Sequence, residues 1–281
     1  MFGSGVTGAS GAAVVSPRKG AFRWLSGMRV EARGGIRRLA LLLALCGLMW
    51  GCAQNRPVVQ PERPAPVLGW TERSISSEEI EELCGREPEL TPRACMEILA
   101  RLNLKDRAYI KQDVKSGKTL KVPNDFRAYF TWTPLPRKLD EVEGAGKFIL
   151  VVRDIPFIGW YADGNLAGDS HICVGKKRDW TKIGFYRVLE KDIDHVSASY
   201  KNAFGTAALM PYAIRIYGRV WIHGGDVVNG YCSHGCINLP LSAAEELFQW
   251  TDAGTPVLVV ESLKDLDRTL EKHSRVLTAR R

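Results

Sequence analysis

Two hydrophobic patterns divide this chain. Between Ser76 and Leu102 apolar residues recur at helical spacing, whereas from Lys147 to Val260 they come in short runs broken by Gly, Asp and Pro. Ser76-Ser77-Glu78-Glu79 is a capping box with Ser76 as N-cap, followed by a stripe of Ile80, Leu83 and Cys84. Thr91-Pro92 opens a second helix, threonine capping and proline in the first turn, with Cys95, Ile98, Leu99 and Leu102 on its buried side. The pair forms a helical hairpin too small to hold a core alone, so it is expected to dock on the C-terminal part of the chain. Cys84 and Cys95 stand where a disulfide would staple it; two buried thiols are the alternative. Residues 106–140 read as extended and irregular.

Phe148 to Val152 reads as a buried strand, and Ile158 to Tyr161 as its partner, turned by Asp163-Gly164. His171 to Val174 and Phe185 to Leu189 continue the series. Tyr212 to Ile216 and Arg219 to His223 form a hairpin around Tyr217-Gly218, and Pro256 to Val260 makes a last strand. Ser242 to Glu245 is a second capping box, whose helix buries Ala244, Leu247, Phe248 and Thr251. Gly254 suits its C-cap. Many short strands with one late helix predict a mostly-β sandwich or barrel preceded by a small helical module. Leu263, Leu266 and Leu270 give the basic tail a helical spacing that reads as a surface helix.

The start of the chain has a different character. Arg37-Arg38 precede an apolar run from Leu39 to Trp50, then Gly51-Cys52. The run is short for a bilayer span and suits a secretory signal, with Met28 a plausible true start. A small residue followed by cysteine resembles a bacterial lipoprotein cleavage site, making Cys52 the lipidated residue; ordinary secretion and an uncleaved anchor are the alternatives. Residues 53–75 are rich in proline and polar residues and read as a flexible tether. The division expected is therefore a leader at 1–52, the tether, an N-terminal module at 76–140, the mostly-β domain at 145–261 and a tail at 262–281. This changes the meaning of the net charge of +8, because seven Lys and Arg against Glu31 place +6 of it in residues 1–52. The remainder is near neutral, which argues against nucleic-acid binding.

Five of the seven cysteines lie beyond the leader, an odd number for an oxidising compartment, so one thiol is left over. Cys236 is the informative one. Ser233-His234-Gly235-Cys236-Ile237-Asn238, with His223-Gly224 upstream, brings a thiol, imidazoles and a glycine turn together. A thiol nucleophile needs a base and backbone N–H groups for an oxyanion. His223 ends a strand and is the best base, and the Gly224 carbonyl is placed to orient its other nitrogen. The N–H groups of His234, Gly235 and Cys236 are candidates for the oxyanion hole. Cys232, His234, Cys236 and His223 are also zinc-ligand types, but the spacing lacks paired knuckles. A Cys232–Cys236 disulfide would silence the thiol; Cys173 and Cys232 read by default as small buried residues, with a bridge between them open. His171 and His195 read as ordinary surface or core histidines.

These motifs resemble the YkuD-type L,D-transpeptidase catalytic domain. Met210 to Arg215, Val174-Gly175-Lys176, Thr181 to Phe185 and Gly254 to Val257 match further elements in the expected order. The stretch from His223 to Ser233 is shorter than the family's usual spacing. The resemblance implies acyl transfer through a Cys236 thioester on peptidoglycan tetrapeptide stems, to an amine acceptor, without metal or organic cofactor; the Gly51-Cys52 site adds the expectation of a membrane-anchored periplasmic lipoprotein. Ser233 and Asn238 would shape the pocket and Tyr212 would line the substrate groove. Arg215 is either a reader of a substrate carboxylate or a solvated strand-face residue. The alternatives are hydrolysis of the same thioester, by a carboxypeptidase or an amidase releasing wall-bound protein, and a wall-binding module with an inert thiol.

Overall fold

The computed structural model describes residues 65–85, 88–202 and 204–278. The leader, Cys52 and most of the tether lie outside them. The N-terminal module contains β1 (Trp70–Arg73), α1 (Ser77–Cys84), α2 (Pro92–Asn103), α3 (Arg107–Lys115) and β2 (Leu120–Pro123). Ser76 Oγ accepts from Glu79 N at 3.1 Å, while the Glu79 carboxylate engages Arg73 at 2.7 Å. Thr91 Oγ1 accepts from Ala94 N at 3.2 Å, with Pro92 in the first turn of α2. β1 pairs antiparallel with β2, and a separate apolar cluster from Ile75 to Tyr129 fills the space beneath.

Cys84 and Cys95 are fully buried and joined, with Cα atoms 6.4 Å apart. The bond closes a short loop between α1 and α2. Replacing both by alanine should lower unfolding stability by about 2–3 kcal/mol, read as an earlier urea midpoint, while leaving Cys236 reactivity in the folded protein unchanged. The irregular reading of 106–140 is corrected by α3. Its inward residues are only Ile110 and Val114, one turn apart, with Asp113 buried between them and paired to Lys105 and Lys118.

The larger part is a mostly-β sandwich. One sheet orders β5 (Asn165–His171), β4 (Phe157–Ala162), β3 (Lys147–Val152), β13 (Pro256–Val260) and β7 (Gly184–Arg187). β3 runs antiparallel to β4 and parallel to β13, with Ile149 opposite Val257. Strand alternation sends Ile149, Val151, Val257 and Val259 to one face and Phe148, Leu150, Val152, Leu258 and Val260 to the other. Both faces are covered, which is why β3 reads as an unbroken apolar run. The second sheet orders β12 (Ile237–Leu239), β10 (Val220–Gly224), β9 (Ala207–Tyr217) and β8 (Glu190–Lys201). Its Ile214, Ile216, Ile222, Ile237 and Leu239 close the inter-sheet core.

α4 (Leu241–Trp250) packs on β9 and β10. It starts after Pro240 with no side-chain cap, so Ser242 sits inside the first turn rather than at the N-cap. α5 (Leu266–Thr278) is not a free surface helix: Leu266 and Leu270 are buried under the outer face of the first sheet.

β8 and the first half of β9 form an arm that the hydrophobic pattern does not announce. It carries exposed Ile193, Val196 and Leu209, with Phe204 at its tip 91% exposed. Two-residue β6 (Val174–Gly175) pairs in parallel with β11 (Tyr231–Ser233), Val174 opposite Tyr231. That pairing brings Cys173 and Cys232 to a Cα separation of 5.5 Å, and they form a disulfide. The default reading of both as unpaired buried thiols is thereby corrected. Cys236 is the one free cysteine among the described residues.

Candidate active site

β10 and β12 run parallel, with Ile222 opposite Ile237 and His223 opposite Asn238. Both isoleucines point into the core. Alternation therefore turns His223, Cys236 and Asn238 to the opposite face, where all three line a cavity of about 670 Å³. The arm forms another wall, contributing His195, Tyr200, Leu209 and Met210.

His223 is 7% exposed, and its Nδ1 donates to the Gly224 carbonyl at 2.9 Å. A carbonyl can only accept, so the proton sits on Nδ1 and Nε2 keeps its lone pair. Burial pushes the His223 pKa below its ordinary value, the Gly224 bond opposes that and His195 adds to it. Gly225 lies close to both side chains: a Cβ there would come 3.2 Å from His223 Cε1 and from Asn238 Nδ2.

Cys236 is partly buried against Met210, Ala213 and Trp221. Burial pushes its thiol pKa up, and a backbone hydrogen bond from Trp221 pulls it the other way. Its Sγ lies 3.8 Å from the Arg219 carbonyl. The resting pair is thus a neutral thiol and a neutral imidazole, both charged forms being disfavoured by the same burial.

The turn before the thiol is held at several points. Gly235 has φ 130°, and an added Cβ would come 3.0 Å from the Trp180 carbonyl. Buried Thr181 donates to the Gly235 carbonyl at 2.8 Å and accepts from Gly175 N at 2.9 Å. Ser233 Oγ donates to the Cys236 carbonyl and accepts from Gly235 N at 3.1 Å. That spends the Gly235 N–H, which leaves the oxyanion set named from sequence. His234 is exposed yet flanked by rings, 4.5 Å from Tyr200 and 5.3 Å from Trp180 between centroids.

Other expectations change. Tyr212 does not reach the cavity. Its φ of 56° breaks the strand alternation, and the ring packs on Phe248 while a Glu245 hydrogen bond, with a smaller effect of burial, keeps its phenol protonated. Arg215 does line the cavity, but Glu190 holds it at 2.9 Å, so its charge is already paired. Asn238 lines the cavity and donates from Nδ2 to the Asp226 carbonyl at 3.2 Å. His195, unremarkable in the sequence, lies in the cavity wall, stacked on Trp221 at 4.0 Å and bonded to Asp192 at 3.0 Å. His171 is buried, bonded through Nε2 to the Lys105 carbonyl at 3.0 Å, and burial takes its pKa down to about 3. With Cys232 in a disulfide, the zinc set considered from sequence loses a ligand. Among the described residues no group of three or more His, Cys, Asp or Glu side chains is arranged to hold a metal.

The family model for the YkuD L,D-transpeptidase catalytic domain matches residues 146–259. A solved catalytic domain of the E. faecium L,D-transpeptidase, acylated by ertapenem, is 32% identical over 41% of this chain and 97% of its own, with a TM-score of 0.35. L,D-transpeptidase 3 of Mycobacterium tuberculosis is 22% identical over 41% of this chain, with a TM-score of 0.38. An L,D-transpeptidase of Stackebrandtia nassauensis is 16% identical over 72% of this chain and 98% of its own, with a TM-score of 0.41. The chain spans 58–61% of the length of the mycobacterial chains it matches. No curated protein matches it. Through residues 146–259 the chain belongs to the YkuD family of L,D-transpeptidase catalytic domains.

Proposed function

We propose that this chain is a cysteine acyltransferase acting on peptidoglycan tetrapeptide stems, with Cys236 as nucleophile and His223 as base. The observation that carries the reading is one cavity holding a free thiol and an imidazole whose Nδ1–H is spent on a carbonyl. Cys236 Sγ attacks the carbonyl of the third stem residue as His223 Nε2 takes the thiol proton. The N–H groups of His234 and Cys236 receive the oxyanion. The tetrahedral intermediate then expels the amine of the terminal D-alanine, which leaves with the proton held on His223. A thioester remains, and a second stem's amine resolves it, its own proton passing back through His223 to the Cys236 sulfur. Acylation of the E. faecium domain by ertapenem supports an acyl-enzyme here by likeness.

The same thioester attacked by water gives the hydrolytic reading. The cavity wall supplied by the arm favours transfer, because exposed Leu209 and Tyr200 extend apolar surface beside the thiol, where an acceptor stem must displace water. Incubating the full chain with a purified disaccharide-tetrapeptide tests this. Mass spectrometry should show loss of one D-alanine together with a cross-linked dimer in excess over free tripeptide. Tripeptide alone would replace transfer by hydrolysis, and no D-alanine release would remove both. Two disulfides among the described residues support an exported, oxidising location, and the Gly51-Cys52 site supports a lipid anchor as part of the proposal.

A further inference from the structure

The short stretch between base and nucleophile is gripped from outside the catalytic domain. α2 ends at Leu104, whose φ of 54° turns the chain out of the helix. Two residues later Asp106 makes two hydrogen bonds with Val227: its N–H donates to the Val227 carbonyl, and its Oδ2 accepts from Val227 N, both at 2.7 Å. Val227 is fully buried. It lies four residues beyond His223, in a segment tied on its other side to β12. There Gly225 N donates to the Leu239 carbonyl at 3.0 Å, and Asn238 Nδ2 donates to the Asp226 carbonyl. The segment is thus stretched between Asp106 and the strand that begins immediately after Cys236.

Asp106 occupies the N-cap position of α3 yet makes no side-chain cap bond. Its carboxylate is committed to the loop instead. Burial pushes its pKa up to about 6, and Asp226 and Glu97 push the same way, against the Val227 N–H and Arg107. An ionised carboxylate in that setting is a poor source of neutral-pH stability, so its bond to Val227 is what it supplies.

We infer that Asp106 is a positioning residue for the acyl-transfer site, through which the N-terminal module sets the geometry of Cys236 and His223. This rests on the function proposed above. The module would then be part of the working enzyme rather than a spacer.

The test compares Asp106→Ala, Asp106→Asn and Arg101→Ala in the full chain. Arg101 bridges Asp169 at 2.6 Å in the same interface, and its other polar and ring partners are Trp132 and Phe157 rather than residues 225–230. Two rates are read at the Cys236 peptide by mass spectrometry: acylation by ertapenem and alkylation by iodoacetamide. Misplacing the loop should slow acylation in Asp106→Ala about tenfold, whereas Asp106→Asn, which keeps an acceptor for Val227 N–H, and Arg101→Ala should stay within about twofold of wild type. A merely structural contact predicts the same loss for Arg101→Ala and Asp106→Ala at matched melting temperature, and that result overturns the inference. So does a wild-type rate in Asp106→Ala. Should Asp106→Ala fail to fold, Asp106→Glu keeps the acceptor one methylene further out and is judged by the same criterion. If wild type is alkylated but never acylated, the acyl-transfer reading fails by itself. The inference is then decided on alkylation alone, where a changed rate restored by Asp106→Asn upholds the grip and equal rates refute it.

Discussion

Cys236→Ser is expected to lose acylation by ertapenem and D-alanine release from a tetrapeptide by at least about 10³-fold, the scale seen when a nucleophile that acts as a unit with its base is removed. The reason is the state of the pair. Burial disfavours both the His223 imidazolium and the Cys236 thiolate, so the proton must move during attack. A thiol can still hand its proton to a neutral imidazole when burial raises its pKa; a serine hydroxyl is several powers of ten less acidic than any thiol, beyond what His223 can deprotonate. The hydrogen-bond partners of the resting sulfur are the Arg219 carbonyl, which would repel an alkoxide, and the Trp221 amide. Cys236 is only partly buried and serine is nearly isosteric, so the melting temperature should hardly change. Intact mass after ertapenem treatment and a thermal melt on the same sample separate the two effects. Turnover in Cys236→Ser near the wild-type rate would falsify the thiol mechanism.

Much of this site is readable from residue order because it is local. Gly235-Cys236-Ile237 places the thiol opposite an apolar residue, and His223-Gly224 places the base beside its own orienting carbonyl, so strand alternation suffices to bring them to one face. The helical caps at Ser76 and Thr91 are legible for the same reason. What is not legible depends on partners distant in sequence. Glu190 to His195 has polar residues on both faces, and the alternation of Val196, Ala198 and Tyr200 that follows marks a face that stays exposed; the segment is a strand because β9 supplies its hydrogen bonds. The cavity wall that the arm makes is therefore not readable from the sequence, nor is the place of His195 in it. Asp106 looks like an ordinary helix N-cap and only the fold shows its carboxylate turned to Val227. The Cys173–Cys232 pairing depends on β6 lying against β11, a contact across 59 residues that spacing does not encode. Tyr212 fails for the opposite reason: the left-handed residue breaks parity with Met210, which faces the cavity, and leaves Tyr212 on the core side with Ile214 and Ile216. Thr181 is visible as a motif residue, but its hold on Gly235 from 54 residues away is not.

His223→Ala should lower the acylation rate by about 10²–10⁴-fold at pH 7, the usual worth of a positioned general base, and should change the pH dependence as well as the rate. In the wild type the base must be neutral to work. Burial lowers the His223 pKa, so the acid limb of the profile should lie below the ordinary histidine range and the rate should be flat from pH 7 upward. Without the imidazole, only the pre-formed thiolate reacts. Burial raises the Cys236 pKa, so in the variant the rate should climb about tenfold per pH unit from pH 7 through pH 8 and beyond, following the thiolate fraction. The two profiles therefore converge at high pH. That convergence distinguishes a lost base from a damaged site, because a collapsed cavity lowers the rate by a constant factor at every pH. Removing His195, which stacks on Trp221 and raises the cost of charging His223, should shift the acid limb slightly upward in pH and leave the plateau in place. A flat, uniformly reduced profile in His223→Ala would assign the histidine to the architecture of the cavity and pass the role of base to another group, with His234 the nearest imidazole in sequence to the thiol.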